Sequence, residues 1–496
     1  MAGVGEGTQV TRRRGWFRRW FRRYLILSGV LAHIGLVLGF FVALDVTNLT
    51  VQDLVDLVAA RIAQDPEFAL AFGLTEPPEQ VLAGLPPPAP VAEPPAALPA
   101  PAGAADRVIR VGPTREIKLP SAAARIAKPG AVVEIDAGEY VGDVALWRQS
   151  NLVIRGVGGG RAHMKATGKV AKGKAIWVIN GADVRIERIE FSGAKARDHN
   201  GAGIRAQGAG LTIIDSYFHD NENGILAMPN PDSDIVIEGS EFRDNGEGDG
   251  KTHNIYVTRV RSLTLRRNFI HNAFIGHNVK SRAERTYVLY NRIMDGADGR
   301  SSYAVDIPNG GTAFLVGNFL QQGPKTENSA LISFGAEGAR PGSRLYLVNN
   351  TMVSQRRFGV FVSNQTPIPA ELVNNLMVGN GKVAAGPTVG VGNIWQTRIG
   401  IGATIKKGFI QAVVFLRGLE LPNDPLIVDD AGLVDPATFD FRLRPGSPAI
   451  DGGVQVRRLP GFTPLATRVY VDPRRTVPRT AVGRIDVGAF EFGMAN

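Results

Sequence analysis

Five segments share the pattern that decides the fold: DVRIERIEFSG (residues 183–193), LTIIDSYFHDN (211–221), IVIEGSEFRDN (235–245), LTLRRNFIHN (263–272) and YVLYNRIMDG (287–296). Each segment is an apolar run followed by a polar turn, a large apolar residue and a second polar turn. Self-similarity with a period of about 20 to 50 residues is typical of solenoid proteins, whose units stack because no single unit can bury its own core.

Two series of apolar residues carry this pattern along the middle of the chain. The first series is Phe191, Phe218, Phe242, Ile270, Ile293, Leu320, Met352 and Met377. The second series is Ile204, Ile225, Ile255, Val279, Val305, Ile332 and Val360. The repeats alternate Val, Ile and Phe and lack the helical stretch of a βαβ unit. They predict an all-β solenoid, a single-stranded parallel β-helix in which each repeat is one coil.

A row of asparagines accompanies the first apolar series at a constant distance of two residues. These asparagines are Asn268, Asn291, Asn318, Asn350 and Asn375. Their constant position next to a turn predicts a structural ladder in which each asparagine contacts the one in the next coil.

Composition excludes several classes of protein. The chain has 496 residues, 44% of them hydrophobic, which is enough for a large core. The formal net charge is +10, but residues 1–23 hold seven Arg and one Glu and contribute +6, so the remainder carries +4. This distribution argues against a nucleic-acid-binding domain. The absence of cysteine excludes disulfides and thiolate metal sites.

The N-terminal region is predicted to anchor the chain in a membrane. Residues 1–23 form an Arg-rich arm, and residues 24–44 are 21 residues without a formal charge, which is about the length that spans a hydrocarbon core. The arginine excess places the arm in the cytoplasm. The remaining chain would then lie in the periplasm, attached to the inner membrane by a single span. Helical spacing of apolar residues predicts an amphipathic stalk at 45–75.

Three further segments follow the stalk. Residues 76–105 are rich in Pro and Ala and predict an extended spacer that holds the solenoid away from the membrane. The β-helix is expected at 106–400. Residues 401–496 contain the turn-rich sequences DFRLRPGSPAIDGG (440–453) and RIDVGAFEF (484–492) and are expected to cap or close the solenoid.

Residues in matching positions of successive coils form columns, because the coils stack about 4.8 Å apart. Alignment on the second apolar series brings THNIYV (252–257), GHNVKSR (276–282) and YAVDIPNGG (303–311) together. The polar residues collected there are His253, Asn254, Tyr256, His277, Asn278, Lys280, Arg282, Tyr303, Asp306 and Asn309. A second column follows the Phe218 series and contains His219, Arg243 and His271. Its histidines are either binding residues or turn residues without a function.

The first coils are AKPGAVVEIDAGEYVGDVAL (127–146) and SNLVIRGVGGG (150–160). Together with the repeats, they resemble the right-handed parallel β-helix proteins of the pectate-lyase-like superfamily over residues 106–395. This superfamily includes lyases, hydrolases, epimerases, adhesins and phage spikes. The resemblance therefore implies the fold, whereas the activity has to be argued from a site.

A local resemblance points to one activity. KSRAERTYVLYNRI (280–293) is similar to a segment of alginate lyases and chondroitinase-B-like lyases, and the resemblance implies that Lys280 is the catalytic base. It also implies Ca²⁺ as a cofactor held by acidic residues shortly before the lysine. This chain has no Asp or Glu between His271 and Val279, and Asp306 occupies the position of the catalytic arginine of those lyases.

Lyases and C5-epimerases that act on a uronate must neutralise its carboxylate and remove the C5 proton; a lyase must also protonate the leaving oxygen. We expect Lys280 to be the base, with a pKa lowered by Arg282 and protonated histidines. His253 and His277 would neutralise the carboxylate, and Tyr256 and Asp306 would orient or donate. The predicted substrate-binding residues are Arg282, Asn254, Asn278, Tyr303, Asn309, His219 and His271; no metal site is predicted.

The predicted function is thus that of a membrane-anchored periplasmic β-helix acting on an acidic polysaccharide as a lyase or C5-epimerase. The alternative is a non-catalytic polysaccharide-binding or scaffold protein of an exopolysaccharide or cell-envelope system.

Overall fold

The computed structural model describes residues 90–99, 108–397 and 425–494, in which almost all regular structure is β-strand. The N-terminal half contains β1 (Val108–Val111), α1 (Pro120–Ile126), β2 (Val132–Val141), β3 (Ala145–Trp147), β4 (Val153–Lys165), β5 (Ala175–Ile179), β6 (Val184–Glu187), β7 (Ile189–Ser192), β8 (Ala202–Ala206), β9 (Leu211–Ile214), β10 (Tyr217–His219), β11 (Asn223–Ala227), β12 (Asn230–Glu238), β13 (Glu241–Arg243), β14 (Ile255–Val257), β15 (Val260–Arg266) and β16 (Phe269–His271).

The C-terminal half contains β17 (Val279–Ser281), β18 (Arg285–Leu289), β19 (Arg292–Met294), β20 (Val305–Ile307), β21 (Thr312–Val316), β22 (Phe319–Gln322), β23 (Ala330–Phe334), β24 (Arg344–Val348), β25 (Thr351–Ser354), β26 (Gly359–Asn364), β27 (Ala370–Val373), β28 (Leu376–Val378), β29 (Gly381–Ala385), β30 (Thr388–Val391), β31 (Ile394–Gln396), β32 (Leu426–Val428), β33 (Leu433–Asp435), a 3₁₀ turn (Pro436–Thr438), β34 (Asp440–Leu443), β35 (Arg468–Val471) and β36 (Arg475–Pro478).

The coils stack into three parallel faces around one apolar core. Face 1 consists of β3, β5, β8, β11, β14, β17, β20, β23, β26 and β29. Face 2 consists of β6, β9, β12, β15, β18, β21, β24, β27 and β30, and face 3 of β7, β10, β13, β16, β19, β22, β25, β28, β31 and β32. The longer strand β4 pairs with both β6 and β7, so it bends from face 2 to face 3. This arrangement confirms the predicted parallel β-helix.

The first apolar series lies in unbroken register on face 3, from Phe191 to Met377. The Phe218 ring stacks on Phe191 and on Phe242 with centroid distances of 4.9 and 4.7 Å. The second series lies in register on face 1 as far as Ile332. Its last member was predicted wrongly, because Val362 rather than Val360 pairs with Ile332. A shift of two residues keeps the same side of a strand towards the core, so the sequence pattern hides it.

The predicted asparagine ladder is confirmed at the turn between faces 2 and 3. Each Nδ2 donates to the Oδ1 of the asparagine in the next coil, at 3.0, 3.1, 2.9 and 2.9 Å from Asn268 to Asn375. The same Oδ1 atoms accept a backbone N–H from the preceding coil. Asn393 continues the ladder by one coil. These amides therefore provide partners for backbone groups that the turns bury.

Residues 90–99, part of the predicted spacer, lie along face 2. The contacts are Tyr287 Oη to Ala92 O (2.6 Å), Arg266 Nη2 to Pro94 O (3.1 Å) and Leu98 N to Thr212 Oγ1 (3.2 Å). Tyr287, Arg266 and Thr212 belong to successively earlier coils, so this segment runs back towards the first coil. These ten residues of the predicted spacer therefore pack on the solenoid and are not a free linker.

The described part of the C-terminal segment also runs back along the solenoid. Strand β32 still extends face 3 after β31, whereas the antiparallel pairs β33–β34 and β35–β36 lie outside the coils. Asn374 donates to Val454 O at 2.8 Å, Tyr290 Oη is 3.2 Å from Thr467 Oγ1, and Arg474 pairs with Glu241. The expected closure of the solenoid end is thus corrected for residues 433–494, which cover its side.

At the other end, helix α1 packs against β1, β2 and β3 and buries Pro120, Ala123 and Ala124. The described part of the chain contains no helix with the length and hydropathy that a bilayer crossing requires. The predicted arm, span and stalk at residues 1–75 lie outside the described residues.

We expect Asn318→Ala to lower the free energy of unfolding by about 2–4 kcal/mol, because each buried polar group left without a partner costs about 1–3 kcal/mol. Asn318 donates to Val288 O and Asn350 Oδ1 and accepts from Asn291. Urea denaturation followed by circular dichroism measures the loss. The control is Asn180→Ala at an exposed position; equal effects of the two substitutions would contradict a stabilising ladder.

Candidate functional site

The predicted column of polar residues exists on the outer side of face 1. Tyr256 on β14 pairs with Lys280 on β17, Lys280 pairs with Asp306 on β20, and Asp306 pairs with Ser333 on β23. The neighbouring residues Ile255, Val279 and Val305 point into the core and are fully buried. Because side chains alternate along a strand, the column faces outward. The alignment made from the sequence is therefore confirmed at these positions.

A second row lies beside this column, where the chain enters face 1. The rings of His253 and His277 stack with their centroids 4.6 Å apart, and the Tyr303 ring is 5.0 Å from His277. The backbone N–H of His277 donates to His253 Nδ1 at 3.0 Å. Because that nitrogen accepts, any proton on the neutral His253 ring is on Nε2. The structure thus brings these three predicted residues together with the column.

A third row lies where the chain leaves face 1, and Arg282 is its centre. Its guanidinium donates to Tyr256 Oη at 3.0 Å, to Asn309 Oδ1 at 2.5 Å and to Glu337 Oε2 at 2.6 Å. Arg340, from the same loop as Glu337, donates to the backbone oxygen of Arg282 at 2.7 Å. This loop, residues 335–343, therefore reaches back over two coils and fixes the arginine.

Glu337 is the functional candidate that the sequence argument missed. Its Oε1 is 3.3 Å from Lys280 Nζ, while its Oε2 binds Arg282. The residue lies 57 positions after Lys280 in a loop outside the repeat, so no column predicts its contact. The only signal in the sequence is the unusual length of the insertion between β23 and β24.

The charges around Lys280 differ from the expectation. Its Nζ is 3.4 Å from Asp306 Oδ2 and 3.3 Å from Glu337 Oε1, and its side chain is only 11% exposed. We expect from the sequence that cations surround this lysine and lower its pKa. The structure instead pairs it with the carboxylates of Asp306 and Glu337. Burial raises the pKa of Asp306, and Lys280 opposes this rise.

The two histidines are not the cations that the sequence argument required. Burial lowers the pKa of His277 to about 3, with a further contribution from Lys280. Burial also lowers the pKa of His253 to well below its ordinary value. Both imidazoles are therefore neutral near pH 7, and their predicted role in neutralising a carboxylate by charge is corrected. His277 Nε2 lies 3.4 Å from Asp306 Oδ2, so the ring can position that carboxylate.

Asn254 and Asn278 point inward, although both were predicted to bind substrate. Asn254 Nδ2 donates to Asn278 Oδ1 at 2.8 Å, and Asn278 Nδ2 donates to Asp295 Oδ1 at 3.2 Å. Both asparagines are fully buried. They belong to a second internal ladder, at the turn between faces 3 and 1, so we do not include them in the surface site.

His219 and His271 lie on face 3, on strands β10 and β16. His219 contacts Glu190 and Asp220, and His271 lies 3.4 Å from Glu241. Lys280 lies on face 1, so the structure does not bring these histidines into the same site. Their predicted role in binding the substrate of Lys280 is corrected for this reason.

Calcium does not fit the residues around Lys280. Calcium binds six to eight oxygen atoms, but Asp306 and Glu337 already pair with cationic side chains. The nearby Asp295 is buried and bonded to Ser301 Oγ and Asn278 Nδ2. The calcium site implied by the family resemblance therefore has no suitable set of ligands among these residues.

The site can bind a carboxylate between the amine of Lys280 and the guanidinium of Arg282. Glu337 demonstrates this geometry, since its two oxygens divide between Lys280 and Arg282. The Tyr256 ring lies beneath both cations, with Lys280 Nζ 5.7 Å and the Arg282 guanidinium carbon 5.9 Å from its centroid. Aromatic rings and charged groups together suit a ligand with both apolar and acidic parts.

Comparison with known proteins supports the class of fold. Residues 150–320 match the family model described as "Right handed beta helix region". The crystal structure of pectate lyase Pel9A superposes with a TM-score of 0.53 at 12% identity, over 78% of this chain and 96% of that chain. The protein is thus a right-handed parallel β-helix protein; an identity this low supports the fold alone.

A second solved structure, ORF18 of Geobacillus virus E2, aligns at 14% identity over 55% of this chain and 54% of that chain. Its TM-score of 0.34 is too low to support a shared fold. No curated protein matches the sequence significantly.

Proposed function

We propose that this protein acts on an acidic, uronate-containing polysaccharide that binds across face 1. The observation that carries the proposal is the position of Glu337, whose carboxylate lies between Lys280 and Arg282. A carboxylate of the polymer fits the same position once Glu337 moves away. The side chain of Glu337 is 48% exposed, so its displacement requires little rearrangement of the core.

The reaction proposed at this position is removal of the C5 proton. In a uronate, C5 carries the carboxylate, so a group that contacts the carboxylate is also close to the C5 proton. Displacement of Glu337 opens the position next to Lys280 Nζ to the sugar, and the amine of Lys280 would accept the C5 proton. Arg282 stays charged and stabilises the negative charge that develops on the substrate carboxylate.

The leaving oxygen of a lyase reaction needs a proton, and Tyr256 is the candidate donor. Its Oη accepts a hydrogen bond from Arg282 Nε at 3.0 Å, so its own hydroxyl hydrogen is available for another acceptor. In a C5-epimerase the proton would instead return to C5 from the opposite face of the sugar. Both reactions share the first step and therefore the same role for Lys280.

A non-catalytic polysaccharide-binding protein is the second candidate function. It is favoured by the two carboxylates next to Lys280, because an ammonium ion binds a carboxylate but cannot accept a proton. In this case face 1 would hold the polymer within a cell-envelope or exopolysaccharide system.

Substitution of Lys280 separates the two candidates. If the protein is an enzyme, Lys280→Ala and Lys280→Arg should both lower turnover by about 100-fold or more, because general bases contribute about 10²–10⁴-fold. Turnover is measured with a panel of uronate polymers as absorbance of unsaturated products. Incorporation of solvent deuterium at C5 detects epimerisation as well.

Lys325→Ala is the control, because this lysine is exposed and pairs with Asp298 in a loop outside the column. Turnover of Lys280→Ala at the wild-type level would remove Lys280 from the mechanism. An inactive wild type, with Lys280→Arg retaining most of its affinity for the polymer, would establish the binding protein instead.

Glu337→Gln should increase the affinity for the polymer by about two- to fivefold. The carboxylate of Glu337 competes with the substrate, and a half-exposed ion pair contributes at most about 1 kcal/mol. Titration calorimetry at low ionic strength measures the change. Glu327→Gln, an exposed carboxylate on the preceding loop, should have no effect. Weaker binding by Glu337→Gln would show that Glu337 supports the site rather than occupying it.

We further propose that the β-helix is held in the periplasm by a single inner-membrane span. The support is the Arg-rich arm at residues 1–23 next to the 21 uncharged residues 24–44. Alkaline phosphatase fused after Asn496 should therefore be active in intact cells, because it functions only outside the cytoplasm. A fluorescent protein that matures only in the cytoplasm is the complementary control, and its fluorescence after the same fusion point would contradict this topology.

A further inference from the structure

A cluster of histidine and glutamate lies on the outer side of face 3, near the N-terminal end of the solenoid. Glu139, His163 and Glu190 occupy paired positions on β2, β4 and β7. Tyr217 on β10 of the following coil pairs with Glu190, and His219 lies two residues after Tyr217 on the same strand. The coil spacing of about 4.8 Å therefore brings residues from four turns of the chain to one place.

The spacing of the potential ligand atoms suits a small divalent metal ion. Glu190 Oε1 is 3.5 Å from His163 Nδ1 and 3.1 Å from His219 Nε2, and the three ligand atoms lie within 4.8 Å of one another. Bonds of about 2.0–2.1 Å at tetrahedral angles place the ligands of zinc about 3.3 Å apart. The two separations from Glu190 Oε1 lie on either side of this value, which is the spacing that a bound ion needs.

Both imidazoles are held in the orientation that a metal ligand needs. His219 Nδ1 is 2.6 Å from Asp220 Oδ2, which accepts the Nδ1–H and leaves the Nε2 lone pair towards Glu190. His163 Nε2 is 2.7 Å from Ser192 Oγ, and donation to this hydroxyl leaves Nδ1 free to face Glu190. Such supporting contacts on the far nitrogen are characteristic of metal-bound histidine.

We propose that His163, Glu190 and His219 bind one zinc-like divalent ion, with Glu139 or water as the fourth ligand. Imidazole and carboxylate ligands suit zinc, cobalt and nickel, whereas calcium and magnesium require oxygen ligands. Glu139 Oε1 lies 3.6 Å from His163 Nδ1, so a small shift brings it into the same sphere. The side chains of both histidines are 15% exposed, which leaves the ion a path from solvent.

The ion would connect β4, β7 and β10 and so fasten three successive coils of face 3. Without metal, the hydrogen bonds to Glu190 and Asp220 outweigh burial and raise the pKa of His219. Binding must then displace a proton from that ring. The cluster lies on a different face from Lys280, so this inference is independent of the proposed action on a polysaccharide.

Two related clusters lack this arrangement and serve as controls. His271 lies 3.4 Å from Glu241 on the same face, but Arg474 occupies the other oxygen of that carboxylate. His199 lies near Glu222 and Glu247, but Glu222 Oε2 accepts the backbone N–H groups of Ala196 and Gly201. In both cases a carboxylate that a metal would need already has another partner.

The test uses full-length protein without a histidine tag, purified in mild detergent, stripped with a chelator and titrated with Zn²⁺ and Co²⁺. Calorimetry should show one equivalent of Zn²⁺, and Co²⁺ should give the visible absorption of a tetrahedral site. His163→Ala, His219→Ala and the nearly isosteric Glu190→Gln should each weaken binding by about 100-fold or more, since loss of a supporting group alone costs about 10- to 100-fold. Zn²⁺ should raise the unfolding temperature of the wild type and not that of His219→Ala.

His271→Ala and His199→Ala should bind like the wild type. Absence of stoichiometric binding to the wild type would overturn the inference, as would unchanged affinity in Glu190→Gln and His219→Ala. Equal losses in the two control variants would show that the ion binds histidines without selectivity, which would also overturn it. Circular dichroism of every variant separates loss of the site from loss of the fold.

Discussion

Backbone hydrogen bonds between the parallel strands of successive coils hold each residue about 4.8 Å above its counterpart. The rest of the structure depends on this constraint, because it converts a repeat in sequence into a column in space. The stacked rings of Phe191, Phe218 and Phe242 fill the core by this rule. The asparagine ladder follows the same rule, because each side-chain amide finds its hydrogen-bond partners in the adjacent coils.

On the outer surface the same constraint brings charged side chains of successive coils into contact. Like charges in directly opposed positions destabilise a sheet, and one column of alternating sign avoids them. Glu134 on β2 pairs with Arg155 on β4, which in turn pairs with Glu187 on β6. Tyr256, Lys280 and Asp306 follow the same logic on face 1. Lys280 thus has its counterion, Asp306, in the same column.

The segments on both sides of the coils add contacts that the repeat does not supply. Residues 90–99 lie along face 2, and residues 454–474 lie along the corner between faces 2 and 3. Both run from later to earlier coils and each contacts several of them. The Lys280 site lies on face 1, so these described segments and the site occupy different sides of the solenoid. The insertion that carries Glu337 is the segment that reaches the site.

The sequence by itself determined the solenoid, the core series, the asparagine ladder and the column of Tyr256, Lys280 and Asp306. It could do so because each follows from one local rule, the alternation of side chains along strands that stack in register. The sequence could not determine that Val362 replaces Val360, because a shift of two residues preserves this alternation.

Only the tertiary structure decided the electrostatics of the sites. Burial makes His253 and His277 neutral and turns Asn254 and Asn278 inward. The path of one loop brings Glu337 to Lys280 across 57 residues, and the register of three strands assembles His163, Glu190 and His219. Desolvation and the approach of charges depend on how loops and coils are arranged in space. The periodicity of a sequence does not specify this arrangement.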